Sequence, residues 1–313
     1  MTTQPPNTPS PIELPDYNND DYTYACDDST QNGNEVECTI TMSDGQKFTG
    51  KKVGSMLNFK NIPYAEPPVG SLRWKSPRLI THYANPIDAR EFGPSCATMQ
   101  TQDNNPNQDQ SEDCLGVNIS VPEWAIINKK KLPMVAFIHG GGFGFGTNRE
   151  NMSPLASQGL VGVNIAYRLG PYGFLCLDSL EAGETYKCNW GLQDQLAGLK
   201  WISMFAGVFG GNKDSVCLDG CSAGSQAGWH HITSQDSWPY FSHAVTNGVG
   251  LPAGIYYEQS GKPAQIRDTV FTHAEVSSID ELRQLSTGTL RQSWVHAIDT
   301  LQLVLICLDH ILI

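Results

Sequence analysis

The most constraining feature of this chain is a pentapeptide, Gly220-Cys221-Ser222-Ala223-Gly224, set between an apolar run and a helical stretch. SVCLDG before it reads as a strand, and SAGSQAGWHHI opens a helix. A strand that turns straight into a helix must reverse sharply, and glycines on both flanks remove the Cβ clashes that would otherwise block the turn. The central Ser is then thrust out at the C-terminal edge of a sheet. It stands at a helix N-terminus, where developing negative charge is favoured. This is the strand–turn–helix context of a nucleophile elbow, G-x-S-x-G, and it makes Ser222 the candidate nucleophile.

A second glycine cluster, His139-Gly140-Gly141-Gly142-Phe143, directly follows the strand-like LPMVAFI. Consecutive glycines let backbone N–H groups turn inward toward an oxyanion. The run lacks G-x-G-x-x-G, so it is no dinucleotide fingerprint. Around these motifs, strands and helices alternate. LGVNISV, LPMVAFIH, LVGVNIAY, SVCLDG and HAVTNG read as strands. Residues 189–207 put Leu192, Leu196, Leu199, Ile202 and Phe205 on one helical face. Upstream, VECTITMSDGQKFTG reads as a hairpin, and the proline-rich 62–78 as irregular chain. Buried strands alternating with helices predict an α/β fold with a mostly parallel sheet.

Charge excludes some partners. The chain has 20 Lys and Arg against 32 Asp and Glu, a net charge of −12, which is not the basic surface of a nucleic-acid binder. No basic residue precedes Lys47, whereas nine acidic ones do, so residues 1–35 are expected to be a disordered acidic arm. MTTQPPNTPSPIELP lacks the basic start and apolar core of a secretory signal. The terminal LQLVLICLDHILI is too short to span a bilayer, so no transmembrane segment is expected. Gly45-xxxx-Gly50-Lys51 misses a phosphate loop because Lys52 replaces its Ser or Thr.

Nine cysteines leave their connectivity open. Cys26 with Cys38, and Cys96 with Cys114, each flank a polar stretch and suit local bridges in an oxidising compartment. Cys217 and Cys221 with His230 and His231 match no zinc spacing, so no metal site is expected.

NIPYAEPPVGSLRW, SEDCLGVNISVP, LPMVAFIHGGGFGFG, NIAYRLGPYGFL, NWGLQDQLAGLKWI, FGGNKDSVCLDGCSAGS and HHI, in that order, resemble the type-B carboxylesterases, a family that includes cholinesterases and fungal lipases. The resemblance runs over residues 36–290 and implies an α/β-hydrolase fold, here its N-terminal part only. It implies that Ser222 is the nucleophile and that the N–H groups of Gly141, Gly142 and Ala223 form the oxyanion hole. It implies a Cys96–Cys114 disulfide, and ion pairs Arg73–Glu112 and Arg168–Asp194. His231 would be structural, and His139 would orient the oxyanion loop. The substrate would be a small-molecule or lipid ester and no cofactor is implied. The family and the cysteines favour secretion. Oligomeric state is not legible.

The departures matter as much. In the family the triad acid and His base follow the elbow, yet neither motif appears in the 91 residues beyond Ser222. His243, His273, His296 and His310 have no family context for that role. Residues 291–313 resemble nothing in the family and are expected to be an apolar tail. A C-terminally truncated product with its later strands missing is the expectation, weak or inactive in catalysis. The alternative is a non-catalytic esterase-like binding protein or defunct fragment. Two smaller departures are Cys221, where many members carry Glu, and Asp219, which needs a partner if buried.

Overall fold

The structure is a computed structural model that describes residues 14–18, 20–99, 109–177, 183–184, 187–248 and 262–301. Four strands open it as an antiparallel meander: β1 (Tyr22–Asn32), β2 (Glu35–Met42), β3 (Lys47–Val53) and β4 (Met56–Pro63). Two-residue β5 (Ile87–Asp88) joins β3, while β6 (Ser95–Cys96) and β7 (Gln110–Ser111) pair separately. β8 (Gly116–Pro122), β9 (Leu132–Ile138), β10 (Val161–Ile165), β11 (Gly211–Cys221) and β12 (His243–Asn247) complete the sheet. Its order is β1-β2-β3-β4-β8-β10-β9-β11-β12.

The sheet is mixed, which corrects the mostly parallel expectation. Along that order only the β10-β9-β11-β12 part is parallel, and every neighbour pair from β1 to β10 is antiparallel. Loop length is the reason. Gly54 and Ser55 alone join β3 to β4, and so short a link can only fold back into a hairpin. The chain from β10 to β11 instead crosses over through α3 (Gly170–Phe174) and α4 (Trp190–Phe205), as parallel strands require.

The acidic arm is also corrected. From Tyr22 it is strand β1, with Cys26 opposite Cys38 and the two joined by a disulfide. Tyr22 is buried, and its hydroxyl donates to the Ile126 carbonyl of α1 (Glu123–Ile127). Just upstream, Tyr17 stacks on Phe205 at 4.7 Å, and the Gly207 N–H donates to Asn18 Oδ1. Acidic composition hid an alternating apolar set whose partners lie elsewhere in the chain. Residues 1–13 lie outside the described residues.

Every residue of β8 and β10 is buried, as strands covered on both faces must be. α4 is buried well beyond its predicted stripe: Asp194 and Gln195 are enclosed, whereas Leu196 is only half-buried. α2 (Ser153–Ser157) and α5 (Ala223–Thr233) complete the helices packed on the sheet.

A second apolar cluster holds α6 (Lys262–His273), α7 (Ile279–Gln284) and α8 (Thr287–Thr300). Here the expectation of a separate tail from residue 291 fails for the described part. Leu290, Trp294, Ala297 and Ile298 form a helical stripe buried against Ile266, Val270, Trp74 and Trp190. The Arg291 Nε donates to the Thr98 carbonyl at 2.8 Å. LQLVLICLDHILI past Leu301, with Cys307 and His310, lies outside the described residues. Trp74 and Trp190 are core residues, the former donating its indole N–H to the Pro171 carbonyl.

Candidate active site

Ser222 joins β11 to α5 with φ 56° and ψ −120°. A non-glycine residue held there stores about 1–3 kcal/mol of backbone strain, so its surroundings must impose it. The Ser222 N–H donates to the Asn247 carbonyl of β12 at 2.9 Å, and its own carbonyl accepts from Gln226 N–H. The flanking glycines are sterically obligatory. A Cβ on Gly220 would lie 2.2 Å from the Gly224 carbonyl oxygen, and one on Gly224 would lie 2.0 Å from that of Ile138. Because that second neighbour is backbone at the end of β9, it cannot rotate away. Gly224→Ala is expected to cost about 1–3 kcal/mol, read as a lower urea midpoint. An unchanged midpoint would show that the turn relaxes.

The loop after β9 reaches the elbow from the other side. Gly140 has no room for a side chain: a Cβ there would sit 3.1 Å from Ser222 Cβ and 2.7 Å from the Cys221 carbonyl. Gly141 takes φ +108°, and its carbonyl accepts the N–H groups of Gly144 and Phe145, closing a tight turn. The Gly170 N–H to the Phe143 carbonyl and the Met99 N–H to that of Gly144 tie the loop to the body. Among the described residues, no acceptor takes the N–H groups of Gly141, Gly142 or Ala223. Ala223 is the first residue of α5, where N–H groups lack intrahelical partners and the helix dipole favours an anion.

His139 is the anchor of this loop. It is buried, stacked on Tyr167 at 4.4 Å, and its Nδ1–H donates to the Gly140 carbonyl. Burial pushes its pKa down to about 4, so the ring is neutral at pH 7. Tyr167 donates its hydroxyl to the His139 carbonyl at 2.8 Å. Neither this hydroxyl nor the Asn247 carbonyl carries a sequence signal that would have singled it out, because both act from other strands or the chain beyond them.

His231, His243, His273 and His296 each hydrogen-bond a residue other than Ser222. His231 is buried between Gln195 Oε1 and Ser237 Oγ, and burial, with neighbouring His230, lowers its pKa to about 4. His243 opens β12 opposite Cys217, while Asn247, opposite Cys221, is the strand's last residue. At about 3.3 Å per residue the separation is about 13 Å. The rings of His273 in α6 and His296 in α8 lie 4.2 Å apart, tilted by 30°.

Asp219 finds the partner that its position demanded. It is half-buried with its Oδ1 3.5 Å from the Asn247 amide, and burial raises its pKa. Cys221 is exposed beside the nucleophile. Cys96 and Cys114 are joined by a disulfide. Both expected ion pairs are buried: Arg73 is bidentate on Glu112, and Arg168 on Asp194. The chain holds two N-x-S triplets, Asn118-Ile119-Ser120 and Asn151-Met152-Ser153: Asn118 is buried with its amide donated to the Asn148 carbonyl, whereas Asn151 is exposed.

Comparison with known proteins matches residues 35–282 to the family model described as the carboxylesterase family. The para-nitrobenzyl esterase of Bacillus subtilis (strain 168) is 39% identical over 188 residues, 58% of this chain and 37% of that protein. Acetylcholinesterase 1 of Caenorhabditis elegans is 33% identical over 226 residues, 66% of this chain and 35% of that protein. A solved PNB esterase superposes with a TM-score of 0.72 at 30% identity, covering 85% of this chain and 54% of that one. Juvenile hormone esterase from Manduca sexta gives 0.72 at 26% identity, covering 84% and 51%. The chain thus spans a little over a third of the curated relatives and about half of the solved structures.

Proposed function

The chain belongs to the carboxylesterase family and has its α/β-hydrolase fold, and from that premise we propose that its elbow performs acyl transfer on carboxylic esters, with Ser222 as nucleophile. The observation that carries this reading is the strained Ser222 backbone, imposed between β11 and α5 and faced at contact distance by the glycine loop. The Ser222 Oγ attacks the ester carbonyl carbon. The carbonyl electron pair moves onto its oxygen, which the N–H groups of Gly141, Gly142 and Ala223 receive. Collapse expels the alcohol and leaves an acyl-enzyme, which water then cleaves to the acid. A small-molecule or lipid ester is the substrate class. The chemistry calls for no cofactor.

The Ser proton needs a base, and the two buried histidines, His139 and His231, are already committed to structure. Taken alone, this polypeptide is therefore expected to turn over esters slowly. Oxyanion donors and binding without a working triad leave about 10³–10⁴-fold over water. The test is p-nitrophenyl butyrate hydrolysis with fluorophosphonate labelling, on the 313-residue protein and on Ser222→Ala. Slow labelling that vanishes in the variant is the expected result. Labelling that survives Ser222→Ala would sink the nucleophile assignment. Rapid Ser222-dependent turnover would show that a base is supplied from within the chain. The second reading, a non-catalytic esterase-like binding protein, rests on the structural commitment of His139 and His231 and requires a folded sample that never labels.

A further inference from the structure

Two cysteines that the ester chemistry does not use lie side by side at the base of the α3–α4 connection. The Leu177 N–H donates to the Lys187 carbonyl at 2.8 Å, so the chain leaving α3 and the chain entering α4 run against each other there. Cys176 and Cys188 sit immediately outside that hydrogen bond, one on each side. Their sulfurs are in hydrogen-bonding contact, both residues are half-buried, and no S–S bond joins them in this structure. Their separation of 12 residues equals that of the Cys26–Cys38 disulfide. Contact with Cys188 and burial push the Cys176 thiol up, whereas the nearby cations Lys187 and Arg267 favour its thiolate.

We propose that Cys176 and Cys188 form a third disulfide that staples the α3–α4 connection. The oxidant is a disulfide of the glutathione class or of a protein oxidase. One cysteine, as thiolate, attacks an oxidant sulfur, giving a mixed disulfide and releasing one thiol. The second thiolate then attacks the cysteine sulfur of that mixed disulfide, closing the Cys176–Cys188 bond and releasing the other thiol. Two S–H bonds are lost and one S–S bond forms, and the two electrons and two protons end on the reduced oxidant. The two disulfides already present place this chain among proteins that fold under oxidising conditions.

The staple has a structural target. Leu177, next to Cys176, and Trp190, two residues past Cys188, both belong to the second apolar cluster. Closing the bond fixes the wall on which α6 and α8 pack, and reduces the freedom of the unfolded chain between the cysteines. Cys217 and Cys221 serve as an internal control. They lie four residues apart on one strand, about 13 Å, beyond the reach of a disulfide.

The experiment is peptide mapping of the full chain after refolding with reduced and oxidised glutathione, with thiols alkylated before any reduction. The expected result is a peptide pair linked through Cys176 and Cys188, two hydrogens lighter than the dithiol, with Cys217 and Cys221 alkylated. Alkylation of both Cys176 and Cys188 while Cys26–Cys38 and Cys96–Cys114 are intact would overturn the proposal. Linkage of either one to another cysteine, Cys307 included, would overturn it too. Cys176→Ser with Cys188→Ser is expected to lower the Tm by several degrees in oxidising buffer and to leave it equal to wild type in dithiothreitol. Equal Tm values in oxidising buffer would overturn the stapling role.

Discussion

Arg168→Met is expected to destabilise the protein by about 3–5 kcal/mol, measured as a lower urea midpoint with an unchanged slope. Arg168 leaves β10 and Asp194 lies in α4, and both are almost completely enclosed. The guanidinium donates from Nε and Nη2 to the two carboxylate oxygens at 2.8 and 2.7 Å, and the Arg168 N–H adds a third bond. Nη2 also reaches the Lys75 carbonyl, tying the irregular proline-rich segment to the same point. Removing the cation strands a carboxylate out of reach of water, which is where the cost arises. Replacing both partners, Arg168→Met with Asp194→Leu, should cost much less, because no buried charge then remains unpaired. A single-variant loss below about 1 kcal/mol would show that water reaches Asp194.

Stability should fall by several kcal/mol as pH drops from about 6.5 to 4. His139 and His231 have pKa values near 4 in the folded state, against an ordinary value of 6.5. Between those limits the unfolded chain binds these protons and the folded one does not, so stability rises with pH across the window. Their contribution is full above pH 6.5 and is lost progressively down to pH 4. Each is worth about 3 kcal/mol at one unit per 1.36 kcal/mol. The half-buried Asp219, whose pKa is raised, opposes this weakly nearer its own range. Urea titrations from pH 4 to 7.5 would read the slope. His231→Gln should remove roughly half of it, and a flat profile would mean that the two rings are hydrated.

The candidate site was largely legible because its constraints are local. Gly220 and Gly224 are required by backbone atoms within the elbow and at the adjacent strand end, and Gly140 by the elbow itself. Such requirements leave a motif. The Asn247 carbonyl that holds the Ser222 N–H leaves none, since any residue supplies a carbonyl. The structural roles of His139 and His231 came from the family resemblance and not from the residues themselves, because what keeps each ring neutral depends on what encloses it.

The amino-acid order by itself determined the five strands between residues 115 and 247, the two longer helices among them, the elbow, and the glycine loop that faces it. Periodicity and steric exclusion act over a few residues and need no partner to be read. Tertiary structure decided the rest. It set the antiparallel half of the sheet, turned the acidic arm into β1 through pairing with β2, and buried α8 against residues more than a hundred positions away. It also decided that Arg73 both pairs with Glu112 and donates to the carbonyls of Arg283 and Leu285. Those outcomes are set by burial shared between distant segments, and no single stretch of chain contains both sides of such a contact.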